Sequence, residues 1–169
     1  MSRKHSELVS LGYLVAGIMI LFPILDLAAN LWPFQPTRAN WRYGTYGLMS
    51  GYLLTVVLGF ALAVAVGAWA RQRGFVRVLG ALSALTGILL LAVTVVNVLD
   101  TLQIRGTLPD DALTQFHIGS GKALVKNGIV TLSLLWIGWA GWRAAGQEAA
   151  RADEKRPKDQ KPLVGAASR

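Results

Sequence analysis

Four apolar runs, each about as long as a bilayer is thick, constrain this chain more than any other feature. Tyr46 to Ala70 gives 25 residues without a charge, and Val78 to Leu99 gives 22 more. Leu8 to Ala29 is a 22-residue run interrupted by Asp26, and the fourth run covers Ala123 to Trp142 with Lys126 near its start. A hydrocarbon core about 30 Å thick is crossed by about 20 helical residues. In lipid an unpaired backbone group costs several kcal/mol, and a helix satisfies those groups internally. The expected fold is therefore an all-α membrane protein, a four-transmembrane-helix antiparallel bundle with short loops. Its spans are expected near residues 8–29, 46–70, 78–100 and 120–143, within a transmembrane domain of residues 1–145.

Composition agrees. Charged residues make up 15% of the chain, against roughly 25% in soluble domains, and 53% is hydrophobic. The net charge of +8 raises the question of nucleic acid, since a basic surface is the footprint of phosphate binding. Here Lys and Arg sit at the ends of apolar runs and in the tail, which orients helices in a membrane and gives no basic groove. The expected partners are the lipid bilayer and another membrane protein or a second copy, with no nucleic acid. The absence of cysteine removes disulfides, thiolate metal sites and a Cys nucleophile.

The charges also give a direction. Arg3 and Lys4 precede the first span, and Arg71, Arg73 and Arg77 surround the second connection. Arg143, Arg151, Lys155, Arg156, Lys158, Lys161 and Arg169 follow the fourth span. The first connection carries Arg38 and Arg42, and the third carries Arg105 beside Asp110 and Asp111. The positive-inside rule then places both termini and the second connection in the cytoplasm of a bacterial-type inner (plasma) membrane. The first run also has the basic start of a secretory signal. It is longer than the usual apolar region, and Leu27 breaks the small-x-small cleavage pattern before Ala29, so it is read as a retained span.

The connections and the tail are short of apolar residues. Pro33 and Pro36 break the helix in the first outer connection, where Trp32, Trp41, Tyr43 and Tyr46 form an aromatic belt. In the third, Thr107 with Pro109 and Asp110 resembles a helix start near Leu108, Thr107 serving as the cap. From Gly146 the sequence "GQEAARADEKRPKDQKPLVGAASR" cannot form a core, and residues 146–169 are read as a disordered basic cytoplasmic tail.

Depth along each helix, at about 1.5 Å per residue, places the intramembrane charges. Asp26 lies about 28 Å from Glu7, Asp100 about 34 Å from Arg77, and Lys126 about 25 Å from Arg143. All three fall near the outer boundary, together with Lys122, Asn30, Asn97, Arg42 and Arg105. Two readings follow. A lysine just below the headgroups extends its stem and keeps its ammonium in water, so Lys122 and Lys126 serve as interface anchors. Alternatively Asp26, Asp100, Lys122, Lys126, Arg42 and Asn97 converge as an outer-leaflet ion-pair or ligand cluster, since intramembrane ionisable groups pair or line a cavity.

Other constellations carry less. "GSGK" at Gly119 to Lys122 lacks the earlier glycine and the following Ser or Thr of a phosphate loop. His5 and His117 fall on opposite sides of the membrane and cannot share a metal or haem. No Ser, His and acid set falls at one depth, so neither catalytic residues nor a cofactor are expected. Small residues do recur at helical spacing. Gly47 and Gly51, entering the second span, and Gly80 and Gly87, in the third, are candidate helix-packing positions. They pack within the bundle, or Gly47 and Gly51 meet another subunit.

The stretch "ILDLAANLWPFQPTRANW", with Leu25, Asp26, Pro36, Trp41 and a glycine-containing entry to the next helix, resembles small multi-span membrane proteins of the hormogonium polysaccharide secretion (HpsJ-type) group. The likeness covers about 40 residues, through the second span. That group has a long polar helical region between its last spans, whereas the third connection here is short. The resemblance implies an accessory membrane protein without a defined catalytic site. The expected function is accordingly a non-enzymatic accessory or structural protein acting through helix packing and partner contacts. The alternative is a small-ligand carrier or sensor with an outward-facing polar pocket.

Overall fold

The computed structural model describes residues 3–154, with the side chains of residues 6–144 and 146. Four helices follow one another: α1 Arg3–Asn30, α2 Ala39–Trp69, α3 Arg73–Arg105 and α4 Asp110–Glu154. Each is long and apolar enough to cross a membrane, and the chain is an all-α, multi-pass membrane protein. Large apolar side chains face outward all round the bundle: Phe22 and Leu132 are each 69% exposed. Such surfaces would drive aggregation in water and are the normal wall of a protein solvated by lipid.

The helices extend beyond the expected spans. α2 begins at Ala39 and α3 continues to Arg105, so polar turns continue the helices past the apolar runs. α4 passes through Gly146 to Glu154, where the tail was expected to begin. Ala149, Ala150, Arg151 and Ala152 are good helix formers, and a helix already nucleated needs only propensity to continue. The remainder of the expected tail, 155–169, lies outside the described residues. α4 starts at Asp110, whose carboxylate and that of Asp111 suit the positive end of the helix. Thr107 is not its cap: the Thr107 hydroxyl donates back to the Ile104 carbonyl at 2.8 Å and so finishes α3.

α2 packs along all three other helices. α1 lies along α2 and away from α4, reaching the start of α3 where the Tyr13 and Phe75 rings meet edge to face at 4.9 Å. The main core is made by Leu53, Val56, Val57 and Phe60 of α2, Leu90 of α3, and Val130 and Leu134 of α4. Two close crossings hold the outer elements. A Cβ on Gly138 would stand 2.8 Å from Ala84 Cβ and 2.9 Å from the Gly80 carbonyl oxygen, so α3 and α4 touch backbone to backbone. A Cβ on Gly59 would meet Ile20 at 2.7 Å and the Ala16 carbonyl at 3.0 Å, where α1 crosses α2. Contact of this kind binds helices in lipid, where there is no water to drive them together.

Buried hydrogen bonds add specificity. The Ser83 hydroxyl of α3 donates to the Leu134 carbonyl of α4 at 2.8 Å, and the Asn127 amide of α4 donates to the Tyr46 carbonyl of α2 at 3.1 Å. The Tyr46 hydroxyl in turn donates to Thr94 Oγ1 at 3.2 Å. At the end of the bundle holding the second connection, the Arg143 guanidinium lies 4.5 Å from the centre of the Trp139 ring.

Candidate functional site

Along α2, Arg42, Thr45, Tyr46 and Met49 recur at helical spacing and share a face; along α3, Ala92, Val93, Val96, Asn97 and Asp100 do the same. Where these faces meet, near the end of the bundle that carries the first and third connections, they line an open-sided cavity of about 370 Å³, with Phe34, Val93 and Val96 exposed along it. The α1–α2 connection completes it with Leu31, Phe34 and Pro36. Phe34 is held by an edge-to-face contact with Trp41 at 4.9 Å, so a loop residue is fixed against a helical one. The walls are apolar and aromatic. The polar groups are Arg42, Asp100, Asn97 and the Thr45 hydroxyl, which is engaged with the Trp41 carbonyl at 2.8 Å.

Arg42 and Asp100 form a side-on pair. Arg42 Nε donates to Asp100 Oδ2 at 2.8 Å and Nη2 donates to Oδ1, while Nη1 donates to the Pro36 carbonyl at 2.9 Å. One guanidinium thus ties α2 to α3 and to the loop. Asp100 is 3% exposed, so its charge is compensated by geometry and not by solvent. Asn97 stands one turn before it on the same face and is also 3% exposed. Neither Nδ2 nor Oδ1 of Asn97 has a hydrogen-bond partner within the protein. A buried carboxamide left so costs about 1–3 kcal/mol, and such groups in a native fold call for an explanation.

The expected six-residue cluster is divided into three places. Arg42, Asn97 and Asp100 come together at the cavity. Asp26 is half-buried between α1 and α2, where Asn30 Nδ2 donates to its Oδ1 at 3.2 Å, to its backbone carbonyl at 2.8 Å and to the Tyr52 hydroxyl at 3.2 Å. Lys122 and Lys126 are exposed on the outside of α4, beside His117, Ile118 and Val125. Among the described residues neither ammonium is paired with a carboxylate. Both stand on the exposed surface of α4, apart from Asp26 and Asp100. The physical reason is rotation: α4 turns Ser120, Asn127 and Val130 inward, which puts Lys122 on the far side of the helix and Lys126 on its exposed flank.

The glycines divide as well. Gly80 meets Gly138 and Gly141, and a Cβ on Gly87 would stand 3.0 Å from Leu135, so both pack α3 against α4. Gly47 and Gly51 have no atom within 4 Å of a built Cβ, and they leave a shallow open strip along α2. Within the described chain they pack against nothing.

Sequence inspection placed Arg42, Asn97 and Asp100 at one depth but missed Phe34, Trp41, Tyr46 and Val96 as the walls around them. The available signal was the i, i+4 series that runs from Arg42 to Tyr46 and from Ala92 through Val96 to Asp100. Among the described residues no group of three His, Asp or Glu side chains is placed to hold a metal. No family model, curated protein or solved structure matches this chain.

Proposed function

We propose that this protein is a non-enzymatic binding protein of a bacterial-type inner membrane, a carrier or sensor that holds a small amphiphile in the cavity between α2 and α3. With both termini and the second connection on the cytoplasmic side, as the Arg and Lys positions favour, the cavity lies toward the outer leaflet. The observation that carries this reading is the space itself: about 370 Å³ with apolar and aromatic walls from Leu31, Phe34, Trp41, Met49 and Val96, and the Arg42–Asp100 pair at its edge. Ligand sites characteristically combine apolar walls with a few convergent polar groups, and this volume falls in their lower range.

The test is to purify the protein from its membrane in mild detergent and identify bound small molecules by native mass spectrometry. Ala92→Phe fills the cavity from its α3 wall without touching the Arg42–Asp100 pair. The wild type should retain an amphiphile that the filled variant lacks. Identical bound molecules in both would refute the site.

A second reading, an accessory protein assembling with another transmembrane helix, is favoured by the open strip at Gly47 and Gly51. It agrees with the role implied by the resemblance of the first span. Tryptophan at Gly47 would block close approach there, and an unchanged set of crosslinked partners in the membrane would remove this reading.

A further inference from the structure

We infer that the groove between α3 and α4, at the end of the bundle that holds the second connection, docks one anionic glycerophospholipid of the membrane, with an acyl chain in the groove and the phosphate on the Arg143 guanidinium. This site stands apart from the cavity between α2 and α3, and neither depends on the other.

The groove follows from a close helix crossing. Gly80 and Gly138 bring the two backbones together, and a Cβ on Gly80 would stand 3.1 Å from the Gly138 carbonyl oxygen. On the α3 side only Ala81 and Ala84 border this floor, while Leu135, Trp139 and Trp142 stand along it on α4, lining an open space of about 350 Å³. Trp139 and Trp142 are 49% and 64% exposed, so their rings extend the wall outward into lipid. From Leu135 to Arg143 α4 rises about 12 Å, most of the depth of one leaflet in a hydrocarbon core about 30 Å thick. A lining of carbon atoms with that length takes a hydrocarbon chain, and the head of the molecule stays at the mouth.

The mouth is where Arg143 stands, exposed and directly after Trp142, at the end of the apolar run. Its guanidinium carbon lies 4.5 Å from the centre of the Trp139 ring. A guanidinium over a ring spends its flat face there and keeps its N–H edge for an anion. Among the described residues the Arg143 side chain makes no hydrogen bond and no ion pair. The positions one turn away on α4, Trp139, Ala140, Gly146 and Gln147, carry no carboxylate. A phosphate accepts from such an edge through two parallel hydrogen bonds. Arg71, Arg73 and Arg77 belong to the same end. With that end toward the cytoplasm, as these charges favour, the leaflet it meets is the one that carries anionic lipid. A zwitterionic lipid offers the same phosphate but brings its own cation against Arg143.

The experiment uses the full chain in mild detergent with equal amounts of phosphatidylglycerol and phosphatidylcholine of the same acyl chains, and counts bound lipids by native mass spectrometry. The wild type should hold one phosphatidylglycerol, favoured about fivefold over phosphatidylcholine. Arg143→Gln should bring that ratio to about one. Ala81→Phe fills the groove from an exposed position of α3, leaves the Gly80–Gly138 crossing untouched, and should remove saturable binding of both lipids. Ala92→Phe, which fills the other cavity, and Lys126→Gln, which removes a cation at the opposite end, should both keep the wild-type ratio.

Equal binding of the two lipids by the wild type, a ratio that survives Arg143→Gln, or one that Lys126→Gln abolishes would overturn the placing of the phosphate on Arg143. Binding that Ala81→Phe leaves intact, or that Ala92→Phe removes, would put the lipid elsewhere on the bundle and overturn the groove as its site.

Discussion

Arg42 of α2 and Asp100 of α3 are joined through two parallel hydrogen bonds, and the same guanidinium holds the Pro36 carbonyl of the loop between α1 and α2. A single side chain therefore fixes two helices and the segment that covers the cavity. A paired, hydrogen-bonded charge is tolerated near the edge of the membrane, whereas a single buried carboxylate is not. Arg42→Leu should lower the thermal midpoint in detergent clearly. Arg42→Leu with Asp100→Leu should recover most of the loss, because no uncompensated charge remains. A double variant as unstable as the single one would show that the loop contact, and not the ion pair, holds this end together.

The two glycine sets should respond oppositely to a methyl group. At Gly138 a Cβ would collide with Ala84 and the Gly80 carbonyl, and backbone atoms cannot give way cheaply. Gly138→Ala should destabilise the bundle by about 1–3 kcal/mol. Gly47→Ala and Gly51→Ala meet open space, so each should stabilise the isolated protein by up to about 1 kcal/mol through helix propensity alone. Equilibrium unfolding in mixed micelles distinguishes the two signs.

Arg71 closes α2 in a left-handed conformation, with φ of 56°. Its N–H donates to the Ala68 carbonyl at 3.1 Å and that of Gln72 donates to Gly67 at 2.9 Å, the paired bonds of a helix end that normally has glycine at this position. A residue with a Cβ costs about 1 kcal/mol or more there. Arg71→Gly should therefore raise stability by about that amount, and Arg71→Val should lower it. Loss of stability in Arg71→Gly would mean that the guanidinium contributes more than the backbone strain it brings.

Lys122→Met and Lys126→Met should leave stability and amphiphile binding unchanged, since both ammoniums are exposed on α4 and neither has a carboxylate partner among the described residues. Substitutions away from such partners have small effects. Impaired binding in either variant would revive the convergence of Lys126 with the acidic residues.

How much of this was legible in the sequence divides along physical lines. The four helices were, because run length against bilayer thickness is a one-dimensional criterion. Depth was also legible, which is why Arg42, Asn97 and Asp100 fell at one level. Rotation was not. A helix that is apolar on every side has no polar face to orient it, so the i, i+4 spacing of Lys122 and Lys126 put them together without saying which way they point. Gly47 with Gly51 and Gly138 with Gly141 look equally suited to packing, and only the neighbouring helix decides between them. The same holds for partner choice: Asp26 and Asp100 were equivalent candidates for a cation until the fold set Asp26 beside Asn30 and Tyr52. The reach of α4 to Glu154 was hidden because hydropathy falls at the membrane boundary while helix propensity does not.

The most direct test is a high-resolution structure of the wild-type protein in nanodiscs of its own membrane lipid, with density resolved between α2 and α3. An elongated feature filling the space between α2 and α3, with the Arg42–Asp100 pair intact, is the expected result. A collapsed space, or one that holds no ordered molecule, would contradict the account.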